Sequence, residues 1–168
     1  MHGTLLSYSE KDERHRGEYK KLENHVEAFD ENGDSLGIIF QTASPFDTPR
    51  LMAELIEWTR AALEAREYHR VLVIGVFVAR FLAIHPFQDG NGRLSRVLTT
   101  LLLLRAGYEY VPYSSLERVV EENKDASYRA LHRAQGTLDK DESQLGEWLL
   151  FFLRCLTTQK DTLEEGGA

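Results

Sequence analysis

The residues best suited to chemistry lie in one short segment, which runs from His85 to Arg96. His85 carries an imidazole that can accept a proton at neutral pH. Asp89 supplies hard carboxylate oxygens, which are the ligands that Mg²⁺ takes when it bridges phosphate oxygens. Arg93 and Arg96 are three residues apart, so on a helix their guanidinium groups project toward one side and can hold the same phosphate chain.

A glycine-rich turn, Gly90-Asn91-Gly92, lies between the carboxylate and the arginines. Its two glycines lack Cβ atoms, so the backbone can curl and approach a phosphate closely, and Asn91 adds side-chain hydrogen-bonding capacity. The turn precedes a predicted helix, and the N–H groups and positive dipole end of a helix N-terminus favour anions. A base, a metal ligand, an anion nest and two cations in one segment indicate phosphoryl or nucleotidyl transfer.

Each of these residues has a structural explanation when it is taken alone. A histidine followed by proline at a helix end is often a cap or a hydrogen-bonded core group. Asp-Gly-Asn-Gly is a common turn sequence, and the two arginines can be solvated or paired with nearby glutamates. Their coincidence in one segment favours the chemical interpretation.

Helices are predicted on both sides of this segment. Apolar residues recur every three or four positions after the Asp47-Thr48-Pro49 cap and predict a helix to about residue 66. Residues 71–84 are apolar on all sides and predict a helix buried among others. Further helices are predicted to about residue 107, from Ser115 toward His132, and from about 143 to 158, with a frayed end at 164–168. The chemical segment therefore joins the most apolar helix to the next.

One predicted element has strand character. Residues 26–29 and 38–41 flank Asp30–Asp34, whose Asn-Gly pair takes the positive φ that a tight reversal requires. A lone hairpin is not stable by itself, so it must lie against the helices, and its edge can pair with an extended chain. We therefore expect an all-α, mainly helical bundle with a short β-hairpin at about residues 26–41, in one domain spanning residues 1–168.

The composition excludes several classes of protein. The chain has 168 residues, with 20 Lys and Arg against 27 Asp and Glu, so its net charge of −7 disfavours nucleic acid or an anionic membrane as a partner. The single cysteine, Cys155, excludes an intramolecular disulfide framework, suits a reducing, cytoplasmic compartment, and lies in an apolar stretch that predicts a buried thiol. The most apolar run is shorter than the ~20 residues that span a bilayer.

Residues 85–96 resemble the signature of the Fic domain, His-x-Phe-x-Asp/Glu-Gly-Asn-Gly-Arg-x-x-Arg, at every specified position. The upstream hairpin, the Pro45–Pro49 entry and Asn123-x-x-x-x-Tyr128 are similar to further features of that family, and the resemblance extends over about residues 5–156. It implies the Fic fold and an enzyme that transfers AMP from ATP to a Ser, Thr or Tyr hydroxyl of a target protein, with release of pyrophosphate.

The resemblance also implies a role for each signature residue. His85 would be the general base for the target hydroxyl, Asp89 would bind Mg²⁺ between the α- and β-phosphates, and Phe87 would anchor the loop by packing. The residues implied to bind ATP are Gly90, Asn91, Gly92, Arg93, Arg96, Asn123 and Tyr128. The Gly-Asn-Gly turn would form the anion hole. Arg93 would neutralise the pyrophosphate, and Arg96 would hold the γ-phosphate. Asn123 and Tyr128 would contact the nucleoside.

The partners implied by the resemblance lie outside this chain. The hairpin would act as a flap that binds an extended target segment by strand addition, which reads extension more than side-chain identity. Many Fic proteins carry an inhibitory Ser/Thr-x-x-x-Glu-Gly/Asn helix, but here Ser9 and Glu13 are followed by Arg14. We therefore expect that an inhibitory helix or antitoxin protein is supplied from outside, as for a toxin-type enzyme or a core without an upstream segment.

Two other functions remain open from the sequence. One is Fic-type transfer or removal of another nucleotide or phosphate moiety, phosphocholine included. Gly92 favours AMP transfer over the phosphorylating death-on-curing branch, which usually has Lys there, and the missing inhibitory glutamate speaks against removal. The other is a non-catalytic phosphate-binding module. Phosphate binding alone needs neither a base nor a metal ligand, so His85 and Asp89 argue against it.

Overall fold

The computed structural model describes residues 17–29, 35–113, 115–135 and 144–166. Two strands come first, β1 (Val26–Phe29) and β2 (Ser35–Phe40). The helices that follow in the described ranges are α1 (Thr48–Ala65), α2 (Arg70–Ile84), α3 (Asn91–Arg105), α4 (Leu116–Glu122), α5 (Lys124–Gln135) and α6 (Leu145–Gly166), with a short 3₁₀ turn at Val111–Tyr113. The expected mainly helical fold with a small hairpin is confirmed.

Helix α2 is the centre of the core. Ile74 and Ala79 are fully buried and Phe81 is nearly so, which is why almost every position of this helix is apolar. Helices α1, α3, α5 and α6 pack against it. The prediction of a helix buried among other helices is confirmed, and the C-terminal end of α2 leads directly into the chemical segment.

Helices α2 and α6 approach each other closely at Gly75. A Cβ atom at this position would lie 2.7 Å from Leu149 Cδ2 and 3.0 Å from Phe152 Cδ1. Trp148 donates a hydrogen bond from its indole Nε1 to the Gly75 carbonyl at 2.8 Å. The absence of a side chain at residue 75 therefore allows the aromatic face of α6 to pack against α2.

The C-terminal half differs from the sequence prediction in two places. The single helix predicted from Ser115 toward His132 is wrong, because the chain breaks at Asn123 into α4 and α5. The Asn123 side chain donates from Nδ2 to the Val119 carbonyl at 2.9 Å, and such a local bond competes with continuation of the helix. The last helix continues beyond the predicted end at residue 158 as far as Gly166. It therefore includes the first residues of the 164–168 segment that was predicted to be frayed.

The predicted hairpin is confirmed as an antiparallel pair of strands. Val26 pairs with Phe40 and Glu27 with Ile38. The register shifts between Val26 and Glu27 and again between Ala28 and Phe29. Strand β2 contacts α5, so the hairpin lies against the helices as expected. The Asn-Gly turn at residues 30–34 and the Ser9-to-Arg14 segment lie outside the described residues.

Two simpler expectations can also be compared with the structure. Cys155 is buried as predicted, and burial raises the pKa of its thiol to about 11. Within the described ranges, none of the helices combines the length and the apolar character that crossing a membrane requires.

Candidate active site

The chemical segment is a tight connection between the end of α2 and the start of α3. His85 ends α2 with a left-handed backbone, φ 53° and ψ 59°, and its N–H donates to the Phe81 carbonyl. Gly90 precedes α3 with φ 81°, a conformation that residues with a Cβ atom rarely adopt. These two positions turn the chain so that His85 and the N-terminus of α3 face one cavity.

The His85 ring is oriented by the helix that precedes it. Its Nδ1 lies 3.2 Å from the Leu82 carbonyl. A carbonyl can only accept, so the proton is on Nδ1 and Nε2 is the basic atom of the ring. Burial lowers the pKa of His85 to about 4, and the Lys20 charge acts in the same direction, while the Leu82 carbonyl and Asp89 oppose the change. The imidazole is therefore neutral at pH 7.

Asn91 has a different role in the turn from the one expected for its side chain. The side chain is 1% exposed. Its Oδ1 accepts from the Phe87 N–H at 2.9 Å, and its Nδ2 donates to the Phe87 carbonyl at 2.6 Å. The side-chain hydrogen bonds thus close the loop, which corrects the expectation that they serve the anion. Any contribution of Asn91 to an anion site comes from its main-chain N–H in the first turn of α3.

The charged side chains of the segment are arranged along the first turns of α3. Arg93 Nη2 lies 3.1 Å from Asp89 Oδ2, in a pair whose side chains are 46% and 58% exposed. An exposed pair of this kind contributes less than about 1 kcal/mol and is easily exchanged for a ligand. The position of a Cβ on Gly92 would be 3.5 Å from Arg96 Nη1, so the Arg96 guanidinium lies beside the glycine turn.

A cavity of about 390 Å³ opens over this turn. Ligand sites in proteins commonly have volumes of ≈ 300–1,000 Å³. The predicted site residues that line it are His85, Asp89, Gly90, Asn91, Gly92, Arg93, Arg96 and Tyr128. Val26 of β1, Glu121 of α4 and Trp148 of α6 also contribute to the wall. Asn123 is not among the described residues that line the cavity, because its side chain caps the end of α4.

One carboxylate of the site, that of Asp89, is of the kind that holds a phosphate-bound magnesium ion. No group of three or more His, Cys, Asp or Glu side chains in the described ranges could hold a metal by itself. Mg²⁺ is usually held by one or two carboxylates together with substrate phosphates. Asp89 is exposed at the edge of the anion turn, so one carboxylate beside the expected phosphate position fits that arrangement.

A model of the Fic/DOC family matches residues 1–103. The chain belongs to this family. The predicted Fic resemblance is thereby confirmed, and the signature turn lies inside the matched residues.

Relatives and solved structures agree with this assignment. The chain is 27% identical over 95 residues to a probable protein adenylyltransferase of Aquifex aeolicus, covering 56% of this chain and 29% of that protein. It is 41% identical over 64 residues to the protein adenylyltransferase Fic of Aedes aegypti, covering 38% of this chain and 13% of that protein. The chain therefore spans less than a third of either of these two relatives.

Two crystal structures of Fic proteins share the fold. A Fic-domain-containing signaling protein from Bacteroides thetaiotaomicron superposes with a TM-score of 0.60 at 24% identity, covering 87% of this chain and 55% of that chain. A Fic family protein from Desulfovibrio desulfuricans gives 0.57 at 27% identity, covering 94% and 47%. Both cover most of this chain.

Sequence reasoning missed two residues that contact the Fic signature loop from far upstream. Lys20 and Asn24 both donate hydrogen bonds to main-chain carbonyls within residues 84–87. They lie in an irregular segment before β1. Lys20 is one of two adjacent lysines in a charged stretch, and neither it nor Asn24 has a periodicity or spacing that distinguishes it from a solvated residue, so no local signal identifies them.

Proposed function

We propose that this chain transfers AMP from ATP to a Ser, Thr or Tyr hydroxyl of a target protein. The observation that carries the proposal is that His85, with Nε2 as its basic atom, lines the same cavity as the N-terminus of α3 and two arginines. The names of the Aquifex and Aedes relatives support AMP as the group that is moved.

The chemical step follows from the position of the base. The target hydroxyl oxygen forms a bond to the α-phosphorus, and its proton goes to His85 Nε2. The bond from the α-phosphorus to the bridging oxygen breaks, and pyrophosphate leaves with the electron pair. A neutral imidazole is required at the start, which agrees with the low pKa that burial gives this histidine.

The remaining residues of the turn bind and neutralise the negatively charged phosphates of ATP. The main-chain N–H groups of residues 90–92 and the dipole of α3 bind phosphate oxygens. Arg93, exchanging Asp89 for the ligand, neutralises the leaving pyrophosphate, and Arg96 holds the γ-phosphate. Mg²⁺ held by Asp89 would neutralise phosphate oxygens when it is bound. Tyr128 in the cavity wall contacts the nucleoside.

The hairpin provides the place for the target. Val26 lies in the cavity wall, and Gly37 and Ile38 of β2 are exposed. A target segment that adds to a hairpin edge in extended conformation is held by main-chain hydrogen bonds close to the cavity. Its hydroxyl side chain then reaches the His85 ring.

The proposal is tested with ATP labelled in turn at the α- and γ-phosphates. The purified chain is incubated with Mg²⁺, alone and with a cell lysate, and labelled proteins are separated on a gel. We expect label from the α position alone. His85→Ala, the matched control, should lower α-labelling by ~10²–10⁴-fold and leave ATP binding intact, because a base acts in the reaction and not in binding.

Each other outcome contradicts the proposal. Label from the γ position alone means phosphoryl transfer. An unlabelled but folded protein that binds ATP is a phosphate-binding module. Retention of more than about a tenth of the α-labelling in His85→Ala removes the base role, since a base contributes at least ~10²-fold.

A further inference from the structure

The main chain of the Fic signature loop is held by two upstream residues, Lys20 and Asn24. The carbonyls of residues 84 to 87 all accept hydrogen bonds from them. Lys20 Nζ donates to the Ile84 carbonyl at 2.9 Å, and the Lys20 main-chain N–H donates to the Pro86 carbonyl at 2.8 Å. Asn24 Nδ2 donates to the His85 carbonyl at 3.1 Å and to the Phe87 carbonyl at 2.6 Å. We call residues 20–24 the anchor segment.

The Lys20 ammonium is buried, with 4% of the residue exposed, and it uses all three of its donors. Besides the Ile84 carbonyl it donates to Asn24 Oδ1 at 2.8 Å and Thr42 Oγ1 at 3.0 Å. Burial lowers the pKa of Lys20 to about 8, opposed by Glu23. A buried cation with neutral partners costs more than an apolar side chain of similar size. What the cation adds is a donor to the last carbonyl of α2, where helices lack intrahelical partners.

The orientation of the Asn24 amide is defined by its neighbours. Oδ1 receives donors from Lys20 and from Thr42 Oγ1 at 2.9 Å, so it must be the oxygen. Nδ2 faces two carbonyls, so it must be the nitrogen. Lys20 therefore holds Asn24 in the orientation in which Asn24 holds the main chain of His85.

We propose that Lys20 and Asn24 are positioning residues, which fix the main chain on both sides of His85 and so place its imidazole against the reacting hydroxyl. The catalytic part of this proposal rests on the proposed function. A misplacement of about 1 Å can cost ~10²-fold in rate, and His85 joins a helix end to a loop, where its own element gives little restraint on the C-terminal side.

Asn24→Asp is the sharpest variant. It keeps the size and the Oδ1 acceptor and forms an ion pair with Lys20. It replaces the Nδ2 donor by a carboxylate oxygen that repels the His85 and Phe87 carbonyls. We expect kcat for α-label transfer to fall roughly tenfold to a hundredfold, with KM for ATP nearly unchanged. Lys20→Met should act in the same direction. A kcat of Asn24→Asp equal to that of the wild type overturns the proposal.

Gln159→Met is the matched control for the loss of a buried polar side chain. Gln159 is 0% exposed and donates from Nε2 to the Val111 carbonyl at 3.2 Å. Val111 lies in the 3₁₀ turn, whose residues are not among those that line the cavity. We expect a lower Tm with unchanged kcat. An equal loss of kcat in Gln159→Met and Lys20→Met at equal Tm would overturn the proposal, because the effect would then be one of general stability.

A second readout does not depend on activity. The ¹⁵N resonances of the His85 ring report which nitrogen carries the proton and whether the ring has one position. The wild type should show a single neutral ring protonated on Nδ1, and Asn24→Asp and Lys20→Met should each show a mixture of ring positions. Identical ring spectra in the wild type and these two variants overturn the positioning role. If the wild type transfers no label, the proposed function fails and this spectrum alone decides the positioning role.

Discussion

The His85 imidazole is partly buried, and its proposed task requires it to be uncharged. Burial lowers its pKa to about 4, so the neutral form dominates in the nucleotide-free protein above that pH. We expect the acid limb of kcat/KM to lie near pH 4, far below the ≈ 6.5 of an unperturbed imidazole. The limb of kcat should lie at higher pH, because bound triphosphate favours the protonated ring.

The measurement is a pH–rate profile of α-label transfer, with circular dichroism at each pH as a folding control. Between pH 6.5 and 4 the unfolded chain binds a proton at residue 85 that the folded protein does not. This group therefore makes the protein less stable as the pH falls through that window. His85→Ala should lose less stability over the same range. A limb of kcat/KM near 6.5 would show that the ring is solvated.

At the scale of elements, the N-terminus of α3 is the part whose shape matters most for phosphate. Gly92→Lys places a long cation beside Arg96, whose Nη1 is 3.5 Å from the Cβ position. We expect it to reduce α-label transfer strongly. The change in Tm should be small, because a Cβ at residue 92 would meet only the end of the Arg96 side chain, at an ordinary contact distance. Gly92→Ala, which adds only the Cβ at an ordinary contact distance, is the control and should retain more transfer. Equal transfer in Gly92→Lys and wild type would make the turn purely structural.

The contact between α2 and α6 is close enough for one added methyl group to disturb it. Gly75→Ala inserts a methyl group 2.7 Å from Leu149 Cδ2, so we expect the free energy of unfolding to fall by about 1–3 kcal/mol. Urea unfolding followed by tryptophan emission measures it. Gly146→Ala, where nothing lies within 4 Å of the new Cβ, should leave stability unchanged or raise it. Equal stability of both variants would mean that α6 shifts without cost.

Elements with a local pattern were predictable from the sequence, and contacts between distant residues were not. The apolar spacing of α1 and the all-round apolar α2 predicted their bounds closely, and the signature residues meet because they are neighbours in the chain. The break at Asn123 depends on one side-chain bond to Val119. The bond from Lys20 to Ile84 joins residues 64 positions apart, and no periodicity records it.

At the scale of the whole molecule, the expected inhibition by a separate helix is open to a direct test. A segment with Ser-x-x-x-Glu-Gly, fused upstream of Met1, should suppress self-labelling from α-labelled ATP. Its carboxylate and the γ-phosphate compete for the Arg96 guanidinium, and a bidentate pair is a strong competitor. Arg96→Ala should weaken both the use of ATP and the sensitivity to the fused helix. Unchanged labelling after fusion of the segment contradicts the expectation, whereas a Glu→Ala change in the segment should restore labelling.

The anchor segment has neither helix nor strand, three of its five residues are exposed, and hydrogen bonds join it to the signature loop. Segments of this kind open at lower free energy than buried helices such as α2. Mild heating should therefore detach the anchor segment from the signature loop while the helical bundle is still folded. The protein should then lose its transfer activity several degrees below the temperature at which its helical circular dichroism signal disappears. Coincident curves would mean that residues 20–24 unfold together with the core.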